Sequence, residues 1–219
     1  MKIIEPQHLC EEFEEISDIA TLEKRVEEGD SELLFDLGNI ALEEGLPEKA
    51  VEFWEKAAQA GSPEAKCNLG ILYENGDGVA QDLDKAREYY DEAARGGAEA
   101  AYYNMARLFD NPEYPDYDLY IAILLYKKAA ETPDYDACYQ LALLYEGEHE
   151  EKNLQKAAEW YKKGADAGHI PSQYNLGALL YHEAETEEQI NEAVFWFEKA
   201  AAQGDEDAQD ALEQIHDEE

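Results

Sequence analysis

The 219-residue chain sets 53 acidic against 17 basic side chains, a formal net charge of −36, while 45% of its residues are hydrophobic. Such a surface repels nucleic acid and anionic membranes and favours basic protein partners, and no stretch approaches the ~20 apolar residues of a membrane-spanning helix. Regularly spaced aromatics and leucines oppose the disordered polyanion that charge alone suggests.

The chain opens Met1-Lys-Ile-Ile-Glu-Pro6, without an apolar leader core or a small-residue cleavage site, which points to a cytoplasmic protein. Cys10, Cys67 and Cys138 are odd in number and widely spaced, so they read as small apolar residues rather than a disulfide framework or metal motif. Residues 1–30 read as N-terminal capping helices, a degenerate repeat with one helix over Pro6 to Ile16 and another over Ser17 to Gly29.

From there three markers recur in phase. Alanines at 50, 86, 122, 157 and 193 are spaced by 36, 36, 35 and 36 residues. A small pair follows each (Ala57-Ala58, Ala93-Ala94, Ala129-Ala130, Gly164-Ala165, Ala200-Ala201), and a Leu-Gly-like pair precedes each (Leu37-Gly38, Leu69-Gly70, Met105-Ala106, Leu141-Ala142, Leu176-Gly177). The markers divide residues 31–205 into five repeats, 31–61, 62–97, 98–133, 134–169 and 170–205.

Each repeat reads as two helices. In the second, Ser62 caps the first helix and Pro63 fits its first turn, and Ala65, Leu69, Leu72 and Tyr73 share one face. Asn75-Gly-Asp-Gly78 breaks it, Asp82 caps the next helix, Ala86, Tyr89, Tyr90 and Ala93 form its apolar stripe, and Gly96-Gly97 ends it. The third repeat replaces the glycine loop with Asn111-Pro-Glu-Tyr-Pro-Asp-Tyr-Asp118, read either as a tyrosine contact patch or as a proline-stiffened connector. Residues 206–219 read as a C-terminal capping helix and acidic tail, with Ala208, Leu212 and Ile215 on one face. The small marker residues leave room where paired helices cross, and the second-helix aromatics Trp54, Tyr90, Tyr126, Tyr161 and Phe197 are expected to fill the space between neighbouring repeats. One pair cannot bury both faces, so the repeats must stack.

The run Ala65-x3-Leu69-Gly70-x-Leu72-Tyr73-x2-Gly76-x-Gly78-Val79-x2-Asp82-x2-Lys85-Ala86-x2-Tyr89-Tyr90-x2-Ala93-Ala94-x2-Gly97 resembles the Sel1-like repeat, a cousin of the tetratricopeptide repeat, and Asn175-Leu-Gly177 with Trp196-Phe-Glu-Lys-Ala-Ala201 carries the same likeness. The resemblance implies an all-α right-handed superhelix whose first helices line a concave face, and a scaffold or adaptor rather than an enzyme. Secreted members of that family carry a disulfide in each repeat; the cysteine-poor pattern here is similar to that of cytoplasmic members.

On the implied concave face, the residue before each Leu-Gly marker is Asp36, Asn68, Asn104, Gln140 or Asn175; one earlier stand Phe35, Cys67, Tyr103, Tyr139 and Tyr174, and Ile71 and Arg107 follow the marker in the second and third repeats. An amide bonds both N–H and C=O of an extended peptide, and tyrosine adds contact area with a polar tip, so Phe35, Asp36, Asn68, Ile71, Tyr103, Asn104, Arg107, Tyr139, Gln140, Tyr174 and Asn175 are the candidate binding residues. The same amides also suit bonding across repeats, and the tyrosines packing between first helices. The lysines of a terminal-carboxylate clamp are missing. The first-helix segments hold eleven acidic residues and two basic ones, Lys66 and Arg107, while lysines gather on second helices, often in the last turns where they complement the helix dipole.

These features point to a protein partner with a basic surface or segment, and to no nucleic acid, membrane or small-molecule substrate. An acidic inhibitor or immunity-type protein masking a basic surface is the alternative. The five scattered histidines, the loop at Asp77 and the run Glu146-Gly-Glu-His-Glu-Glu151 give no catalytic or metal-binding spacing, so no cofactor is expected.

Overall fold

Helix follows helix because apolar stripes are bounded by capping residues and breakers, as at Ser62 and Gly76. The computed structural model describes residues 24–133, 135–147 and 152–218; the expected helix at Pro6 to Ile16, Cys10 and the charge run from Glu148 to Glu151 lie outside them. The helices are α1 (Ser31–Glu43), α2 (Pro47–Gln59), α3 (Pro63–Asn75), α4 (Leu83–Gly96), α5 (Ala100–Phe109), α6 (Leu119–Ala129), α7 (Tyr135–Glu146), α8 (Leu154–Asp166), α9 (Ile170–His182), α10 (Glu187–Ala201) and α11 (Glu206–Glu218). There is no strand among the described residues. The fold is therefore all-α, built of helix-turn-helix pairs, with a boundary between two compact units falling after Ala122.

In the first unit α1 pairs with α2 and α3 with α4, while α2 packs on α3 and α4 on α5. In the second, α7 pairs with α8 and α9 with α10, and α8 packs on α9 and α10 on α11. Caps fix the starts. The Asp30 carboxylate accepts from Leu33 N at 3.1 Å, Ser62 Oγ from Ala65 N at 3.1 Å, Asp82 from Lys85 N at 3.0 Å and Asn153 from Lys156 N at 3.0 Å. Thr186 and Gln189 form a reciprocal capping box on α10. Each satisfies an amide that the helix itself leaves open.

The crossing inside each pair depends on a missing side chain. A Cβ built at Gly38 would meet Trp54 Nε1 at 2.2 Å, one at Gly70 would meet the Tyr90 ring at 2.5 Å, and one at Gly177 would meet Phe197 at 2.9 Å. Trp54, Tyr90 and Phe197 are buried. Each of these three lies against the first helix of its own pair, where the side-chain-free position leaves a slot the width of a ring, and Trp54 and Phe197 also share a core with the following repeat, as expected of aromatics between neighbours. Leu34, Val51, Trp54, Ala65, Leu69 and Leu72 join α1, α2 and α3 in one core, and Phe197 joins Ala208 and Ile215 of α11.

The loop after α3 is held by a second close approach. Gly76 ends the helix in the left-handed region, and Gly78, at φ +68°, brings its α-carbon so near α2 that a Cβ would lie 2.6 Å from the Pro47 carbonyl carbon. The third repeat's different connector buries Tyr114 edge-on against Phe109, with ring centroids 5.6 Å apart, and leaves Tyr117 and Tyr120 exposed.

Replacing Gly70 with alanine is expected to force Tyr90 out of its slot and cost about 1–3 kcal/mol, as overpacked cores do. Urea denaturation monitored by helical circular dichroism measures it. An unchanged midpoint would mean that the helices separate freely at the crossing.

Candidate functional site

Seven of the residues expected to line the binding face lie in the first unit (Phe35, Asp36, Asn68, Ile71, Tyr103, Asn104, Arg107) and four in the second (Tyr139, Gln140, Tyr174, Asn175). All sit on first helices. Most are half-buried; Arg107 is exposed and Asn104 is buried.

The amides reach back by one repeat. Asn68 Nδ2 donates to Asn39 Oδ1 at 3.4 Å, Asn104 Nδ2 donates to Cys67 Sγ at 3.4 Å, and Asn175 Nδ2 donates to the Tyr139 hydroxyl at 3.1 Å. A helical rod presents this position toward the preceding rod, so an amide there bridges first helices. Asn104, only 8% exposed, belongs beneath the surface rather than on it. Asn68 and Asn175 are half-buried. Tyr139 rests edge-on against His169 at 5.6 Å and beside Tyr161 at 5.9 Å, and Tyr174 leans on Phe197 at 5.8 Å. The indole of Trp54 donates to the Phe35 carbonyl at 3.0 Å. Ile71 and Gln140 are half-buried.

Sequence reasoning missed a carboxylate at the end of the first helices. The Tyr90 hydroxyl donates to Glu74 Oε2 at 2.6 Å, and the Tyr161 hydroxyl to Glu146 Oε2 at 2.7 Å. Burial first, and then the bonded carboxylate, push both phenols far above the usual tyrosine range. Arg107 Nη2 completes the first cluster, 2.7 Å from Glu74 Oε1. Both glutamates stand five residues after the marker leucine, at Leu69 and Leu141, so aligned repeats contain the signal.

Asp36 is unlike its amide counterparts. Burial raises the pKa of its carboxyl, and the negative charges of Glu32 and Asp30 add to the rise. Arg25, whose charge opposes this, is itself bound to Asp30 at 2.8 Å. Burial likewise raises the Cys67 thiol, and Cys67 and Cys138 are buried and unbridged. Among the described residues no group of three or more His, Cys, Asp or Glu is placed to hold a metal ion, and no helix is long and apolar enough to cross a membrane.

A family model for the Sel1 repeat matches residues 31–62, 63–97, 99–131, 136–169 and 170–205. The chain belongs to the Sel1 repeat family. Among solved structures it is similar to c5321 of uropathogenic Escherichia coli, a protective antigen with an SLR fold, at 29% identity and a TM-score of 0.78, covering 94% of this chain and 46% of that one. It therefore spans less than half the length of that protein. A Sel1 repeat protein from Oxalobacter formigenes is 28% identical with a TM-score of 0.70, over 84% of this chain and 78% of that one. A sel1 repeat protein from Klebsiella pneumoniae shares the fold at 23% identity and a TM-score of 0.58, over 90% of this chain and 98% of the other. The search of curated proteins gave no significant match.

Two outcomes follow from the Sel1 cluster geometry. Because the folded state raises the Asp36 pKa, the folded protein binds that proton more tightly than the unfolded chain, so the carboxylate subtracts stability once pH exceeds its unfolded value. Asp36→Asn should therefore raise the melting temperature at neutral pH, with the gain fading as pH falls below the normal carboxylate range. A gain that persists in acid would assign the effect to something other than charge. Tyr161→Phe, which leaves Glu146 without its donor, should cost about 0.5–1.5 kcal/mol. Tyr90→Phe should cost less, since Glu74 keeps Arg107. Paired urea titrations decide the order.

Proposed function

We propose that this chain is a scaffold whose first-helix layer holds a partner protein through a basic segment. The supporting observation is that the cations of this layer are already spent. Lys66 pairs with Glu92 at 2.8 Å and Arg107 with Glu74 at 2.7 Å. Helices α7 and α9 contain no lysine or arginine at all. Glu32 and Asp36 have no ion-pair partner among the described residues, and an incoming lysine or arginine would relieve the half-buried Asp36 carboxylate.

The remaining candidate residues divide the work. Phe35, Ile71, Tyr103, Tyr139 and Tyr174 supply apolar and aromatic contact, and the carbonyl oxygens of Asn68, Asn175 and Gln140 accept from partner N–H groups. Asn104 acts as a positioning residue through Cys67. Arg107, tied to Glu74, tolerates a basic neighbour only while that ion pair holds.

The test is fluorescence anisotropy with a labelled Lys/Tyr-rich peptide titrated across salt concentrations. Affinity should fall as salt rises, and Glu32→Gln/Asp36→Asn should weaken binding by about three- to tenfold. A flat salt response, or an unaffected double variant, would remove the basic-segment reading.

A further inference from the structure

The second-helix side of the C-terminal unit has the opposite electrostatic character, and it does so in a preformed groove. Lys127 of α6, Tyr145 of α7, and Lys156, Glu159, Trp160 and Lys163 of α8 line a cleft of about 340 Å³. The unit before Ala122 has a corresponding cleft of about 470 Å³, lined among others by Glu55 of α2, Lys66 of α3, and Lys85, Glu88, Tyr89 and Glu92 of α4. Counted from the marker alanines, Lys156 matches Lys85, Glu159 matches Glu88 and Trp160 matches Tyr89, but Lys127 replaces Glu55 and Lys163 replaces Glu92. The same architecture carries three carboxylates against two lysines in one unit, and three lysines against one carboxylate in the other.

The lysines of the second groove are held where they are. Lys127 Nζ and Lys156 Nζ lie 5.5 and 4.9 Å from the centroid of the buried Tyr145 ring, and Lys163 Nζ lies 5.0 Å from that of Trp160. Lys163 Nζ also donates to the Ala130 carbonyl at 2.7 Å, across the groove floor. None of the three has an ion-pair partner among the described residues, whereas Lys66 in the first groove is bound to Glu92. In a protein of net charge −36, three lysines gathered without an ion-pair partner among the described residues, beside the Tyr145 and Trp160 rings, are a site prepared for an anion.

We propose that this groove binds an acidic peptide segment, seating its carboxylates on Lys127, Lys156 and Lys163 and an apolar side chain on Trp160. The choice of a peptide rests on reach and on donor type. Screening confines the wider negative field to about 8 Å at physiological salt, so a short acidic segment feels mainly the groove. A nucleic acid, with a charge every ~1.7 Å of duplex, would run beyond it into the surrounding carboxylates. The groove also offers only point-charge ammoniums and no arginine fork for bidentate phosphate. The site is independent of the first-helix layer, so a scaffold with both would hold a basic and an acidic partner at once.

The test is fluorescence anisotropy of a labelled peptide of alternating Glu and Leu, with an oligothymidylate of similar charge in parallel. The wild type should bind the peptide and not the oligonucleotide. Lys127→Glu/Lys163→Glu, which restores the residues native to the first groove, should weaken peptide binding by about tenfold or more, while Lys127→Arg/Lys163→Arg should keep it. Should the charge reversal lower the helical signal, Lys127→Gln/Lys163→Gln is read in its place with the same loss expected. Glu32→Gln/Asp36→Asn should leave this binding unchanged, which separates the two faces. The proposal is overturned if the wild type ignores the peptide, if the reversed variant binds as well as wild type, or if the oligonucleotide binds as tightly. Self-association that K127E/K163E abolishes, without peptide binding, would assign the groove to a second copy and overturn it too.

Discussion

A ring pressed into the gap left by a glycine sets the distance and angle of each helix pair where the two occur together, and the rest of the arrangement is built on that contact. Gly38, Gly70 and Gly177 leave no room for even one more carbon beneath Trp54, Tyr90 and Phe197. With the pair so closed, its outer faces are apolar and must be covered by the next pair. Within each unit, first helices one repeat apart then meet through their side chains. Repeat length, helix spacing and the position of each surface residue follow from the same few cubic ångströms.

That spacing gives the amides a dual position. Asn68 and Asn175 each spend a donor on the preceding first helix and retain an oxygen, so residues that bind the helices together also border the surface offered to a partner. Asp36, in the same register, has no such bond among the described residues and keeps a carboxyl whose ionisation is disfavoured. A position that costs stability while carrying charge is an apt place for a partner's cation, and selection for binding rather than stability would leave it so.

The alternation of helices was readable from the sequence because Ser62, Asp82 and Gly97 carry the capping chemistry on their own, and the marker spacing repeats it. The contents of the face were only half readable. The register of Asn68, Asn104 and Asn175 is plain in the aligned repeats, but whether each amide turns outward or back depends on what stands opposite it: Asn39, Cys67 and Tyr139 differ in reach and polarity. Asn104 is covered where Asn68 is not. Periodicity marks the second-helix aromatics as a buried stripe; that Trp54, Tyr90 and Phe197 also seat within their own pair is settled by where the first helix lacks a side chain. The reversal of charge from Glu55 and Glu92 to Lys127 and Lys163 gains meaning only once these positions are seen to line grooves, since in sequence those lysines look like ordinary helix-dipole complements.

The phenols of Tyr90 and Tyr161 offer a way to watch each unit separately. Their two buried hydroxyls, shielded and facing glutamate, resist losing their protons well beyond the usual tyrosine range. In alkaline titration their phenolate absorbance would thus appear late and in step with opening, one ring speaking for each half of the chain. With phenylalanine placed at one site at a time, ultraviolet spectroscopy would report which half yields first, without any attached label.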